Sequence, residues 1–330
     1  MLPRFSYTRP QSLAEALKAL TVNGAHVHAG GTDLLPCLRE RLFEVRSVVS
    51  IGGLADLRGV RQTPSGGLRI GALTPISEVA ANPIVRQRYA ALAEGAAEVA
   101  SPQLRNQGTI GGNICQKPRC WYYRGEFHCL RKGGATCFAA HGENQFHCIF
   151  GGGGRCFIVH PSDTSPPLVA LGAELEIAGH GGTRTSAVEG FHVLPADDVM
   201  RETWLEPGEI VTAVLLPPPP GSLRSSYRKV RARRAWDFAL AGVALALEFG
   251  GDGRVRGARV VLSGAAPVPW RSEAVEEAVR GKALTGKTIA AAASAAVAGA
   301  EPLEKNAYKI PLFRGVVAEE LERIAKGPNP

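Results

Sequence analysis

No stretch of this sequence approaches the roughly 18 apolar residues needed to cross a bilayer, so a membrane span is not expected. The most apolar segments, ALAGVALAL and AAAASAAVAGA, are short or made of small residues, as buried strands and close-packed helices are. The amino terminus, MLPRFSYTRPQS, has neither an apolar leader core nor a twin arginine. That predicts a cytoplasmic protein, with export by a signal-bearing partner left open. Internal repeats are absent. So is any CxxC pair, although the chain has seven cysteines, and structural zinc sites usually use such a knuckle. The net charge of +8 raises the question of nucleic acid. However, the basic residues are dispersed, with no aromatic-interleaved face and no helix-turn-helix pattern. An acidic partner or a phosphate-binding cavity fits the charge better.

The 330 residues, 45% hydrophobic and 21% charged, are enough for two or three domains with a sizeable core. Residues 1 to about 55 read as a small α/β unit: the helix LAEALKAL capped by Ser12 and Glu15, the strand AHVHAG, a helix starting near Asp33, and the strand RSVVSIG. Residues 56 to about 180 carry strands at LRIGAL and AELEIAG and a helix within VRQRYAALAEGAAEVA. A connecting region, 183–222, ends in Pro217–Pro220, a rigid corner. Beyond it, SYRKVRAR, FALAGVALALEF and RVRGARVVLSG predict a three-stranded antiparallel meander. Helices follow at SEAVEEAVRG, TIAAAASAAVAG and FRGVVAEELERIA. Strands followed by helices indicate an α+β arrangement.

Six of the seven cysteines lie between Cys115 and Cys156. Just before them stands TIGGN (Thr109–Asn113), and just after them HPSD, with Ser162 and Asp163. A first double-glycine turn, AGGTDL (Ala29–Leu34), joins a strand to a helix. Its glycines allow positive φ and close approach of a ligand, and helix-start N–H groups can receive phosphate. Singly each motif reads as a turn, but together they point to a dinucleotide. The thiol spacings C-x4-C-x8-C-x7-C-x10-C-x7-C suit an iron–sulfur cluster wrapped by a loop. Lys117, Arg119, Arg124, Arg131, Lys132 and Arg155 outnumber Glu126 and Glu143 there and are expected to offset the charge of such a cluster. Zinc, with His128, His141, His147 and His160 nearby, and reduced buried thiols remain open. Cys37 reads as core. Asp237 reads as a cap or a partner for a basic neighbour. Lys229 and Arg231 alternate on a strand and read as solvent-facing unless a cavity lies there.

Taken in order, AGGTDL, RNQGTIGGN, PSD, SYRKVRARRAWDFALAG and NAYKIPLFRGVVAEELERI resemble the flavoprotein subunit of the xanthine dehydrogenase, aldehyde oxidase and carbon monoxide dehydrogenase group of molybdenum hydroxylases. The resemblance covers nearly the whole chain. It implies a PCMH-type FAD-binding domain at 1–222, in subdomains of about 1–55 and 56–222, followed by an α+β carboxy-terminal domain at 223–330. It implies FAD held by Ala29, Gly30, Gly31, Thr32, Asp33 and Leu34, by Thr109, Gly111, Gly112 and Asn113, and by Ser162, Asp163, Val211 and Lys229. The cysteine insert, 115–158, resembles that of 4-hydroxybenzoyl-CoA reductase flavin subunits and certain bacterial aldehyde oxidoreductases. This implies a 4Fe–4S cluster on Cys120, Cys129, Cys137 and Cys156, with Cys115 and Cys148 spare. The implied function is electron transfer within a heterotrimer, alongside a large molybdenum-cofactor subunit and a small 2Fe–2S subunit, with no catalytic acid or base in this chain. A reductase of that CoA-ester type would run electrons towards molybdenum instead. A stand-alone flavin oxidase of the PCMH type and a zinc-stabilised binding module are the contrasting classes.

Overall fold

The structure, a computed structural model, describes residues 1–327 and contains three sheets. In the first unit β1 (Ser6–Thr8), α1 (Leu13–Ala19), β2 (Ala25–His28), α2 (Leu34–Arg39) and β3 (Ser47–Ser50) form a parallel sheet of order β1-β3-β2. Ser12 Oγ accepts the Glu15 N–H at 3.2 Å. The Glu15 carboxylate reaches back to the Gln11 N–H at 2.8 Å, one residue earlier than a capping box would have it. Ala16, Leu20, Val49 and Ile51 form this unit's core, joined by Leu73 and Ile210 from the next unit. The two units therefore share apolar contact at their junction.

The second unit opens with β4 (Val60–Gln62) and β5 (Leu68–Gly71). Five helices follow: α3 (Ile76–Ala81), α4 (Pro83–Arg88), α5 (Ala90–Glu98), α6 (Pro102–Gln107) and α7 (Ile110–Ile114). Next comes the cysteine-rich excursion with its short helix α8 (Trp121–Arg124), then α9 (Ser165–Ala170), β6 (Glu174–Gly179), β7 (Gly182–Ala187) and β8 (Ile210–Leu216). The sheet is antiparallel with order β4-β5-β8-β6-β7. Two strands thus occupy the segment expected as a mere connection. β7 (GTRTSA) is a solvated edge strand without apolar alternation, which hides it from pattern reading. β8 is buried almost throughout and takes the sheet's centre. TIGGN, expected as a loop, folds into α7. Thr109 Oγ1 accepts the Gly112 N–H and so caps this helix.

In the third unit β9 (Leu223–Val230), β10 (Ala241–Phe249), β11 (Val255–Ser263) and β12 (Trp270–Arg271) form an antiparallel sheet of order β12-β11-β10-β9. The expected meander therefore has a fourth strand, a two-residue edge paired only through Trp270 and Arg271 and too short to leave a period. Ala244 and Ala246 of β10 pack into the second unit's core. Val243, Leu245 and Leu247 pack with Phe313, Val317 and Leu321 on the opposite face. Burial on both faces is why this strand reads as unbroken hydrophobicity. Helices α10 (Glu273–Val279), α11 (Gly286–Ala295) and α12 (Lys309–Ala325) cover the outer face. α12 begins four residues before the expected FRGVV start, and Pro311 is tolerated because its missing N–H falls in the first turn.

The turn before α12 also grips the cysteine excursion. Asn306, fully buried, donates Nδ2 to the carbonyls of His147 at 3.0 Å and Cys148 at 3.1 Å. Its Oδ1 accepts the Leu303 N–H at 2.7 Å. Asn306→Ala leaves these buried groups unpaired and is expected to cost about 1–3 kcal/mol. Urea denaturation measures this, and a midpoint equal to the parent's would contradict the clamp.

Candidate functional site

The two double-glycine motifs face each other across the junction of the first two units. A Cβ on Gly30 would lie 2.0 Å from the Gln107 carbonyl oxygen, and one on Gly111 would lie 2.8 Å from the Ala72 Cβ. Gly31 adopts φ +71°, where an L side chain is strained. Bare backbone at these points lets the loops touch and leaves a cradle between them. Two adjoining cavities of about 240 and 320 Å³ run along it and share Thr32, Asp33, Thr109, Gly112 and Gln116. Together they reach the size of an ordinary cofactor site. Ala29, Gly30, Gly31, Leu34, Gly111 and Val211 line the first, and Asn113 and Asp163 the second.

Three of the expected contact residues do something else as well. Asp33 lines both cavities, yet its carboxylate accepts from Arg124 Nη2 at 2.8 Å, Arg119 Nη2 at 2.9 Å and the Lys117 N–H at 2.7 Å. It ties the first loop to the base of the cysteine excursion. Ser162 is buried and lines neither cavity, and its Oγ donates to Asn113 Oδ1 at 2.6 Å. Lys229 lies behind Asp163 rather than in the cleft. Its fully buried side chain places Nζ 2.7 Å from Asp163 Oδ2 and 3.2 Å from the Glu98 carbonyl. Tyr227 donates to Asp163 Oδ1 at 2.9 Å. Burial pushes the Asp163 carboxyl up, while Lys229 and Tyr227 oppose that shift. The solvent-facing reading of Lys229 is corrected: its position on β9 points inward to a buried carboxylate. Arg231 pairs with Glu98. Asp237 accepts the N–H groups of Arg233 and Phe238.

Pattern reading missed the second cavity's rim. Ala100 and Trp236 line it, both in the left-handed region (φ 43° and 53°), and Trp236 N–H donates to the Ala100 carbonyl at 3.0 Å. Strain of this kind costs about 1–3 kcal/mol per residue and gathers at functional sites. No local sequence signal marks it. In contrast, GKALTGKT (Gly281–Thr288) matches a phosphate-binding loop by residue type, but it follows helix α10 rather than a strand. That context excludes the motif.

Cys120, Cys129, Cys137 and Cys156 line one small cavity together with His147 and Arg131. Cys115 lines the glycine cleft instead, and Cys148 is buried outside the four-thiol cavity. Burial pushes the thiols of Cys115 and Cys148 up to about 12 and that of Cys120 up to about 11. A hydrogen bond with Cys156 pulls the Cys137 thiol down. Among the described residues, no three His, Cys, Asp or Glu side chains gather around one point as a single metal ion requires. Four thiols around one cavity are the donor set that a 4Fe–4S cluster takes. The basic residues expected to neutralise a cluster serve mostly as clamps. Lys117 and Arg131 pair with Glu202, and Arg119 and Arg124 pair with Asp33. Only Arg131 lines the four-thiol cavity.

Residues 3–219 match the family described as the FAD binding domain in molybdopterin dehydrogenase, and residues 225–323 match the CO dehydrogenase flavoprotein C-terminal domain. The chain is 36% identical to the aldehyde oxidoreductase FAD-binding subunit PaoB of Escherichia coli (strain K12), covering 96% of this chain and 97% of that one. It is 32% identical to the carbon monoxide dehydrogenase medium chain of Hydrogenophaga pseudoflava, covering 92% and 89%. A solved structure of carbon monoxide dehydrogenase from Hydrogenophaga pseudoflava superposes with a TM-score of 0.76 at 30% identity, covering 97% of this chain and 96% of that one. Gly30→Ala drives a methyl group into the Gln107 carbonyl and spreads the two loops. Flavin affinity is expected to fall about tenfold or more, which is about 1.4 kcal/mol. Absorbance of bound flavin per chain after gel filtration measures this, and full retention would contradict the cradle.

Proposed function

The chain belongs to the family of FAD-binding domains of molybdopterin dehydrogenases, and from that premise we propose that it is the electron-transfer subunit of a multi-subunit molybdenum hydroxylase, holding FAD and a 4Fe–4S cluster. The observation that carries the cluster is the grouping of four of the six insert thiols around one cavity, linked to the double-glycine cleft through a further cavity that Cys120 and Asp163 both line. When bound, FAD and the cluster supply reversible electron transfer. The protein's own part is to bind, orient and shield.

Gly30, Gly31, Gly111 and Gly112 give the cofactor's phosphates access to backbone. Asn113 is held by Ser162 and Thr164. Val211 packs at the apolar end of the cleft, where burial also keeps Cys115 protonated. Asp163 faces the second cavity with its charge met by Lys229 from behind, so the cleft gains polar recognition without an uncompensated buried ion. Cys120, Cys129, Cys137 and Cys156 are the proposed ligands. No side chain is assigned as a catalytic acid or base. The partners are a large molybdenum-cofactor subunit and a small 2Fe–2S subunit. Similarity to an aldehyde oxidoreductase subunit supports electron flow from substrate towards an external acceptor. No described helix is long and apolar enough to cross a membrane.

The test is metal, sulfide and flavin analysis of the chain purified with its co-expressed partners. Variants then separate this chain's cluster from theirs. Cys129→Ala is expected to remove about four irons per complex and to keep the flavin, whereas Cys148→Ala keeps both. Equal iron in the parent and Cys129→Ala complexes, or zinc in place of the iron lost, would overturn the ligand assignment.

A further inference from the structure

Among the described residues lining the four-thiol cavity, His147 alone hydrogen-bonds one of the sulfurs through a side-chain nitrogen: its Nε2 stands 3.2 Å from Cys120 Sγ. The residue is 4% exposed, and its ring sits against Trp121 and Tyr122, with centroids 6.1 and 6.2 Å away. Its backbone is fixed on both sides. The His147 N–H donates to the Asn144 carbonyl at 3.0 Å, and Asn306 donates to the His147 carbonyl at 3.0 Å. The Asn144 side chain is held in turn by Ala139 and Lys305. A ring confined this way has one polar contact to make, because its other nitrogen, Nδ1, is buried without a partner.

The direction of that contact follows from the ligand's chemistry. A metal-bound thiolate carries no proton and only accepts, so the ring proton at this contact must be on Nε2. An N–H directed at a ligand sulfur draws charge from it and favours the more negative, reduced form, one of the recognised determinants of iron–sulfur potentials. Place matters as well. Cys120 and His147 also line a second cavity on their far side, with His160, Asp163 and Phe238. Asp163 and Phe238 belong to the flavin cleft too. Cys120 is thus the proposed ligand on the wall that faces the flavin.

On the reading that these four thiols hold a 4Fe–4S cluster, we infer that His147 is a positioning residue that donates its Nε2–H to Cys120, aims that sulfur towards the cavity that adjoins the flavin cleft and makes the cluster easier to reduce. Reduction adds one electron and breaks no bond to hydrogen; the proton stays on the imidazole.

The experiment is an EPR-monitored redox titration of the purified complex and of its His147→Leu and His147→Gln forms, with iron, sulfide and flavin measured on each. His147→Leu is expected to keep the parent's iron and to be about tenfold harder to reduce at a given potential, which is 59 mV for a one-electron couple. His147→Gln, which keeps an N–H donor, should recover part of that change. An unchanged potential with iron in place overturns the role of His147. Loss of about four irons in both variants overturns it as well, since His147 would then be needed to hold the cluster at all. Pulsed EPR of the parent with 15N-labelled histidine decides independently of the variants. Weak coupling together with an exchangeable proton supports the hydrogen bond, and coupling of directly bonded strength makes His147 a ligand. A parent complex whose iron does not fall in Cys129→Ala removes the cluster itself, a result distinct from an unchanged potential in a loaded one.

Discussion

Asn113 Oδ1 accepts hydrogen bonds from Ser162 Oγ at 2.6 Å and from Thr164 Oγ1 at 2.7 Å, and through them the chain that leaves the second glycine motif at Cys115 is brought back to its starting point. Ser162 Oγ also accepts the N–H groups of Thr164 and Ser165, which begins α9. The same few atoms therefore close the neck of the excursion and restart the host fold. Ile110 and Ile114 before the neck, and Leu168 and Val169 after it, are buried in one core. With the ends pinned, lengthening the excursion is inexpensive, because closure entropy grows by only about 0.6 kcal/mol per doubling of loop length. A cysteine-rich segment can thus be added to a flavin-type fold without disturbing a sheet.

Beyond its neck the excursion is held on one side by the Asn306 clamp and the packing of Ile149 and Phe150, and on the other by charge. Asp33 receives Arg119 and Arg124, and Glu202 receives Lys117 and Arg131. Arg131 additionally donates to the Val199 and Arg201 carbonyls, both at 2.7 Å. Arg131 is buried and the other five groups are half-buried, so each carboxylate matters more for compensating its partners than for any net gain from pairing. The arrangement gives Asp33 two tasks: it belongs to the first glycine loop by position and to the excursion by its bonds. The cleft and the thiol cavity are thereby held in one frame.

Much of this was legible beforehand, because motifs built from backbone requirements leave local traces. Gly30, Gly31 and Gly111 mark places where a Cβ will not fit or where φ must be permissive, and their sequence context says so. The clustering of thiols is equally local. What escaped was set by distant partners or by burial without period. Asp33 and Arg124 are 91 residues apart; Lys229 and Asp163 are 66 apart. Neither pairing has a sequence signature, so Lys229 read as solvated. β8 was lost in a region taken for a connection because burial at nearly every position erases alternation, and β7 because full exposure does the same. Trp236 and Ala100 occupy left-handed backbone that only their mutual hydrogen bond reveals.

The position of the excursion also bears on how two redox centres could share one small protein. Electron transfer weakens steeply with separation, so a second centre is useful only where its nearest ligand approaches the first. An insertion at a solvated hairpin such as β6–β7 would place the thiols at the sheet's far edge. Insertion between Asn113 and Ser162 instead starts and ends the excursion at the cleft wall itself. Cys120 and His147 then border a cavity whose opposite wall, Asp163 and Phe238, also lines the cleft. The third unit completes the arrangement from outside, since Asn306 holds His147 and Cys148 by their carbonyls and Lys309 donates to the Phe146 carbonyl at 3.4 Å. Where the excursion was inserted, more than its cysteine count, is what brings Cys120 to the border of a cavity that adjoins the cleft.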